Sequence, residues 1–247
     1  MSSHIECTIL NNGSPWTKSN KRVCVGIEDK EGSKVYKIEY DQEPYGEALT
    51  EIKRRIEAAD LLIGFNIKFD VSWLRRYIDG IRIPRVFDCQ LAEFMLCYQS
   101  TPYPSLDESC AKYGLGRKLD VVANEYWSKG IDTPNVPWDV LEEYCSHDVS
   151  LTMQLFQKQR ELLKGNMKKL FILQCEDLLG LQEAEQNGLR YDFSQAIERG
   201  VDARIEIEEI DTKLHKVAGV DFPFNFSSSD QLSALLYGGV INEKYRE

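Results

Sequence analysis

No Cys-x-x-Cys pair occurs among the seven cysteines: Cys7, Cys24, Cys89, Cys97, Cys110, Cys145 and Cys175 are scattered and odd in number. That excludes a cysteine zinc ribbon and a disulfide framework, and it fits a reducing compartment. Long apolar runs are missing too. A stretch such as Leu61 to Phe65 is far too short to cross a bilayer, and the N-terminus has no basic segment followed by an apolar one. Neither membrane anchoring nor export is expected, and the cytoplasm is the simplest location. Basic residues are in deficit, 30 Lys and Arg against 40 Asp and Glu, for a formal charge of -10. A protein that grips duplex DNA by neutralising many phosphates needs a basic face, so that class is disfavoured. An enzyme that holds a few nucleotides of one strand over metal-binding carboxylates remains physically reasonable. There is no internal repeat and no low-complexity tract.

What is present is an ordinary globular core, with 43% apolar residues in 247. Val23, Val25 and Ile27 alternate on one face, Asp29 to Gly32 reads as a turn, and alternation resumes over Val35 to Tyr40, which predicts a β-hairpin. Leu49, Ile52 and Ile56 predict a helix over Gly46 to Asp60, and Leu61 to Phe65 a short buried strand. Phe69 to Tyr77 predicts a helix, and Ser105-Leu-Asp-Glu108 a capping box that opens another. Gly114 to Pro137 is loop-rich. A long helix follows from Asp139 to about Leu163, with Leu141, Tyr144, Asp148, Leu151 and Leu155 on one stripe. The fold class is α/β. After Gly165 the character changes to two long helices separated by Asn187-Gly188, the second ending near Gly219. The expected division is therefore 1–164 and 165–247.

Three segments could carry chemistry. Tyr144 and Asp148 lie one helical turn apart on the inward stripe, where an ionised carboxylate needs a partner or a metal. With 12 tyrosines in the chain, roughly one Tyr-x-x-x-Asp spacing arises by chance, so the pair alone equally suits an inward Tyr with a satisfied Asp. Asn66-Ile-Lys-Phe-Asp70 follows the buried strand and delivers a carboxylate near a strand end; the bland reading is an acid in a helix first turn. His4 and Glu6, two apart, share one side of a strand, unless the terminus is frayed. His147 points elsewhere than Asp148 and reads as solvated or structural, and His215 has no ligand pattern around it. Tyr103 and Trp138 read as packing aromatics.

In this order the segments resemble the three exonuclease motifs of the DEDD superfamily, in the version with tyrosine in the third motif, as in DNA polymerase I-type (family A) enzymes. The family's Asp-x-Glu, Phe-Asp and Tyr-x-x-x-Asp stand here as His4-Ile5-Glu6, Phe69-Asp70 and Tyr144-Cys-Ser-His-Asp148. Leu61 to Asp70 and Lys118 through Trp138 look most like polymerases of bacterial viruses, whose location would be the host cytoplasm. Leu170 to Gly219 and Asn225 to Leu232 look like the first helices of a polymerase region, whose catalytic palm is absent.

The resemblance implies an RNase H-like mixed sheet flanked by helices, followed by that helical segment. It implies a monomer that hydrolyses the terminal phosphodiester at the 3′ end of single-stranded DNA with two Mg²⁺ or Mn²⁺ ions. Glu6 and Asp148 would hold one ion, Asp70 the other, Tyr144 would orient the attacking water, and Asn66 and Phe69 would contact substrate. The missing polymerase region is the expected partner. His4 stands where the family has a bridging aspartate. Two divalent ions about 3.8 Å apart repel by on the order of 17 kcal/mol at an effective dielectric of 20, and a neutral imidazole supplies no bridging anion. His4 could ligate one softer ion such as Mn²⁺, so weak, metal-restricted or absent cleavage is expected. Two alternatives stay open: an inactive single-strand-binding or structural module of the same fold, and a related RNA-trimming exonuclease.

Overall fold

The computed structural model describes residues 1–38, 45–100 and 103–240. The predicted hairpin is present as β2 (Arg22–Asp29) and β3 (Gly32–Lys37), paired antiparallel and closed at Asp29 and Gly32. Tyr40, the predicted end of its second strand, lies outside the described residues. β1 (Ser2–Cys7) pairs antiparallel with β2 and parallel with β4 (Leu61–Gly64), which pairs parallel with β5 (Arg85–Asp88). The five strands run in the order β3-β2-β1-β4-β5, so the N-terminal strand lies at the centre of the sheet. A central strand has its backbone groups satisfied on both sides, which overturns the frayed-terminus alternative for His4 and Glu6.

Helices cover this sheet. α1 (Tyr45–Glu57) buries Ile52 and Ile56 completely. α2 (Ile67–Tyr77) starts two residues before the predicted Phe69, because the Asp88 carboxylate at the end of β5 accepts the backbone N–H groups of Asn66 and Ile67, at 3.3 and 2.9 Å. The same carboxylate caps α3 (Cys89–Leu96) by accepting from Gln90 and Leu91, so one side chain satisfies the orphan donors of two helices. α4 (Leu106–Lys112) opens with the predicted capping box between Ser105 and Glu108. A short α5 (Val121–Glu125) interrupts the loop-rich stretch.

α6 (Trp138–Leu162) turns its stripe inward as predicted, with Leu141, Tyr144, Asp148, Leu151 and Leu155 all at most 2% exposed. Gly26 on β2 allows this close approach. A Cβ there would sit 2.7 Å from Val149 Cγ2 and 2.8 Å from Cys145 Sγ, nearer than any side chain tolerates. Since Gly26 pairs with His4, this close contact between α6 and the sheet lies at the level of the first candidate residue. The Ser2 hydroxyl adds a hydrogen bond to the Val149 carbonyl at 3.2 Å.

α7 (Gly165–Asn187) belongs to this compact unit, which runs from Met1 to Gly188. Its Phe171 and Cys175 enter the same core as Phe87 of β5, with the two phenyl centroids 4.6 Å apart. Lys68 pairs with Glu185 at 2.6 Å, and Arg75 bonds to Gln182. The second unit begins at Leu189 and contains α8 (Phe193–Ala218) and α9 (Ser229–Tyr237). α8 is capped by Asp192 at its start and by left-handed Gly219 at its end, the sequence-predicted stop. Among the described residues no helix is long and apolar enough to cross a membrane, and all seven cysteines are free thiols.

Candidate active site

Strand alternation puts His4 and Glu6 on one side of β1, and their side chains meet, His4 Nε2 lying 2.7 Å from Glu6 Oε1. The apolar stripe of α6 carries Asp148 to the same place, with Oδ2 3.7 Å from His4 Nε2. One ligand atom from each of His4, Glu6 and Asp148 lies within 4.8 Å of the others. Tyr144, one turn before Asp148, is 1% exposed and meets Trp127 edge to face at 6.0 Å. A cleft of about 360 Å³ opens over the group, lined by His4, Glu6, Phe69, Lys118, Trp127 and Tyr144.

Asp70 approaches from α2. It is 2% exposed, and His4 and the Ile5 backbone N–H pull on its carboxyl, which places it beside β1 next to the group but outside the 4.8 Å cluster. Of the two expected substrate contacts, Phe69 lines the cleft. Asn66 does not: it is exposed, and its left-handed backbone (φ 59°) serves the entry into α2. Lys118 brings its Nζ 2.7 Å from Asp148 Oδ2 and 4.8 Å from the centre of the Tyr144 ring. Lys118 and Trp127 were missed as site residues, because their loop carries no periodic signal; the one available hint was a lysine inside a segment with family-like spelling.

The electrostatics are those of a cation site. Burial drives the Asp148 carboxyl above the usual range, and the charges of His4 and Lys118 offset this only in part. Burial likewise pushes Asp70 up to about 7, against the pull of His4 and the Ile5 N–H. For His4, burial lowers the pKa, but the hydrogen bond to Glu6 and the charges of Glu6 and Asp148 outweigh it and hold the imidazole up at about 10. The Tyr144 phenol is raised by burial and by the charges of Glu6 and Asp148, so it is a neutral O–H donor at neutral pH. Three buried carboxylate oxygens, Asp70 Oδ1 and both oxygens of Asp148, have no hydrogen-bond partner, although Lys118 Nζ forms an ion pair with Asp148 Oδ2. Unpartnered buried oxygens are costly unless a cation or proton meets them, so these residues fit a divalent ion. His4 can join an ion only as the neutral imidazole, so binding there would release the proton that Glu6 and Asp148 hold on it.

The remaining sequence candidates are peripheral. The His147 ring bonds to the Arg117 carbonyl at 2.9 Å, a structural role as expected. Trp138 packs beside Val23 and Leu141 under Lys37. Tyr103 corrects the packing expectation, being 84% exposed. His215 hydrogen-bonds within α8 and meets Phe226 edge to face.

Residues 12–164 match the family described as 3′-5′ exonuclease, a stretch that includes Asp70, Lys118, Tyr144 and Asp148 but begins after His4 and Glu6. A DNA polymerase of Bacillus phage SP01 is 25% identical over 216 residues, covering 82% of this chain and 23% of the phage protein, so the chain spans about a quarter of that relative. Among solved structures, the apo form of a nuclease superposes with a TM-score of 0.58 at 16% identity, covering 78% of this chain and 87% of its own. Brucella melitensis NrnC with bound Mg²⁺ gives 0.57 at 18%, covering 78% and 88%. The same protein bound to pGG gives 0.55 at 18%, with the same coverage. These likenesses show the RNase H-like fold.

Proposed function

The chain belongs to the 3′-5′ exonuclease family, and from that premise we propose that it removes nucleotides from the 3′ end of single-stranded DNA, weakly and with a preference for Mn²⁺. The observation that carries this is the convergence of His4 and Glu6 from the central strand with Asp148 from α6, beside a buried tyrosine. When bound, divalent cations would activate water and stabilise the leaving 3′ oxygen. His4, Glu6 and Asp148 would hold one cation, and Asp70 offers a carboxylate for a second. The protonated Tyr144 phenol donates to and orients the attacking water. Phe69 and Trp127 bound the cleft and offer apolar faces to a terminal base. His4 brings no anion to bridge two ions, which is the physical reason for weak turnover.

DNA as substrate and the reading of 165–247 as the opening of a polymerase region draw support from the phage DNA polymerase, whose match covers 82% of this chain. In the parent enzyme the exonuclease would then proofread, as a monomer in the cytoplasm. The test is degradation of 5′-labelled single-stranded DNA and RNA of one sequence with Mg²⁺ and with Mn²⁺, by the native chain and by His4→Asp. Stepwise shortening of DNA from the 3′ end, faster with Mn²⁺, with Mg²⁺ activity raised at least about tenfold in His4→Asp, is expected. Faster shortening of RNA would instead identify an RNA-trimming enzyme through its 2′-hydroxyl. No cleavage by either chain would identify an inert module of the same fold.

A further inference from the structure

A lysine inside a candidate metal site has a consequence for the metal. Lys118 Nζ lies 2.7 Å from Asp148 Oδ2 as an ion pair, on a buried carboxylate neither of whose oxygens has a hydrogen-bond partner. It is not a loose surface lysine brought there by chance. Its backbone N–H donates to Asp107 Oδ1 at 3.0 Å, and the neighbouring Arg117 pairs with Asp107 Oδ2 at 3.0 Å. The Arg117 carbonyl is bonded by His147, the residue before Asp148, at 2.9 Å. The loop is thus clamped both to α4 and to the very turn of α6 that carries the carboxylate, so the backbone of Lys118 is fixed relative to Asp148. The side chain is 28% exposed and lies over the Tyr144 ring, so its flexible stem can carry the ammonium into solvent without moving that backbone.

Resting on the reading of His4, Glu6 and Asp148 as a cation site, we infer that Lys118 is a tethered counter-cation that competes with a divalent ion for Asp148 and thereby sets how tightly the site binds metal. Without metal, the ammonium joins His4 Nε2, 3.7 Å from the same oxygen, in offsetting the charge of a buried carboxylate. With metal, the ion on Asp148 and the ammonium 2.7 Å from Oδ2 repel across one carboxylate, and that repulsion, or the cost of moving the ammonium away, is subtracted from the metal's affinity. Lys118 is then a positioning residue, not a ligand, and His147 acts through it by fixing its loop.

The experiment is calorimetric titration with MnCl₂ of the native chain, Lys118→Met and Lys118→Arg, together with thermal unfolding of each in EDTA. Lys118→Met is expected to bind Mn²⁺ about tenfold more tightly than the native chain and to unfold at a lower temperature in EDTA. Lys118→Arg, which keeps the charge, is expected to return both readouts toward native values. Should Lys118→Met not yield folded chain, Lys118→Gln carries the same expectation with a polar side chain. Equal or weaker Mn²⁺ binding by the neutral variants overturns the inference while leaving the metal site standing. Absence of Mn²⁺ binding in every chain overturns the metal site itself, and the inference with it.

Discussion

The two walls of the cleft are built by different means. The α6 wall is a helix stripe: Asp148 is carried inward by Leu141, Leu151 and Leu155, all fully or almost fully buried, and apolar burial of this kind contributes roughly 1.5–3 kcal/mol per side chain. The β1 wall is a six-residue strand that holds its place through backbone pairing with β2 and β4. The helical wall lies inside the family match, whereas the strand wall lies before it. Backbone pairing is indifferent to side chains, so the strand could accept His4 without loss of fold. The helix stripe depends on its side chains, and there Tyr144 and Asp148 stand one turn apart.

The largest expected effect comes from the helical wall. Asp148→Ala should lower Mn²⁺-dependent release of nucleotides from single-stranded DNA by at least about a hundredfold, because the ligand shared by the cluster is gone. Retained release would place the chemistry elsewhere. Next is the seam between the walls. Gly26→Val forces side-chain atoms against Cys145 and Val149 and should destabilise the chain by about 1–3 kcal/mol, read as a fall of several degrees in Tm. An unchanged Tm would mean that α6 is not held against β2 as described.

The smallest effect lies away from both walls and serves as their control. Asp29 pairs with Arg55 at 2.6 Å, and the hydrogen bond from that guanidinium holds its carboxyl below the ordinary value. A depressed folded pKa means that the contribution is present above the unfolded value of about 3.9 and disappears as pH falls through the folded one. Asp29→Asn should therefore cost about 1 kcal/mol at pH 7, and the variant should approach the native chain below about pH 3. A cost independent of pH would contradict the ionic origin of this pair, and any change in nuclease rate would show that the site is sensitive to the far end of the hairpin.

How much of this was legible in the sequence follows from where each residue gets its position. The α6 stripe and the Ser105–Glu108 capping box are local patterns, set by helix period and by spacing of three, and both are found as read. β1 was ambiguous, since a strand buried on both faces shows little alternation. The start of α2 depends on Asp88, 22 residues beyond Asn66, and no local signal announces a cap from so far away. The family match ends at 164, next to the change of character read at Gly165. Even so, α7 packs through Phe171 and Cys175 onto β5, and the compact unit continues to Gly188. Lys118 and Trp127 reach the cleft from a glycine-bearing loop whose path is fixed by Asp107, His147 and Thr133, all tertiary contacts.

Titration of Mn²⁺ into the native chain and into Glu6→Gln tests the central claim most directly, because Glu6 is the strand wall's carboxylate in the cluster with Asp148. The structure predicts one saturable Mn²⁺ site in the native chain and its loss in Glu6→Gln. Indistinguishable binding curves for the two chains would contradict it.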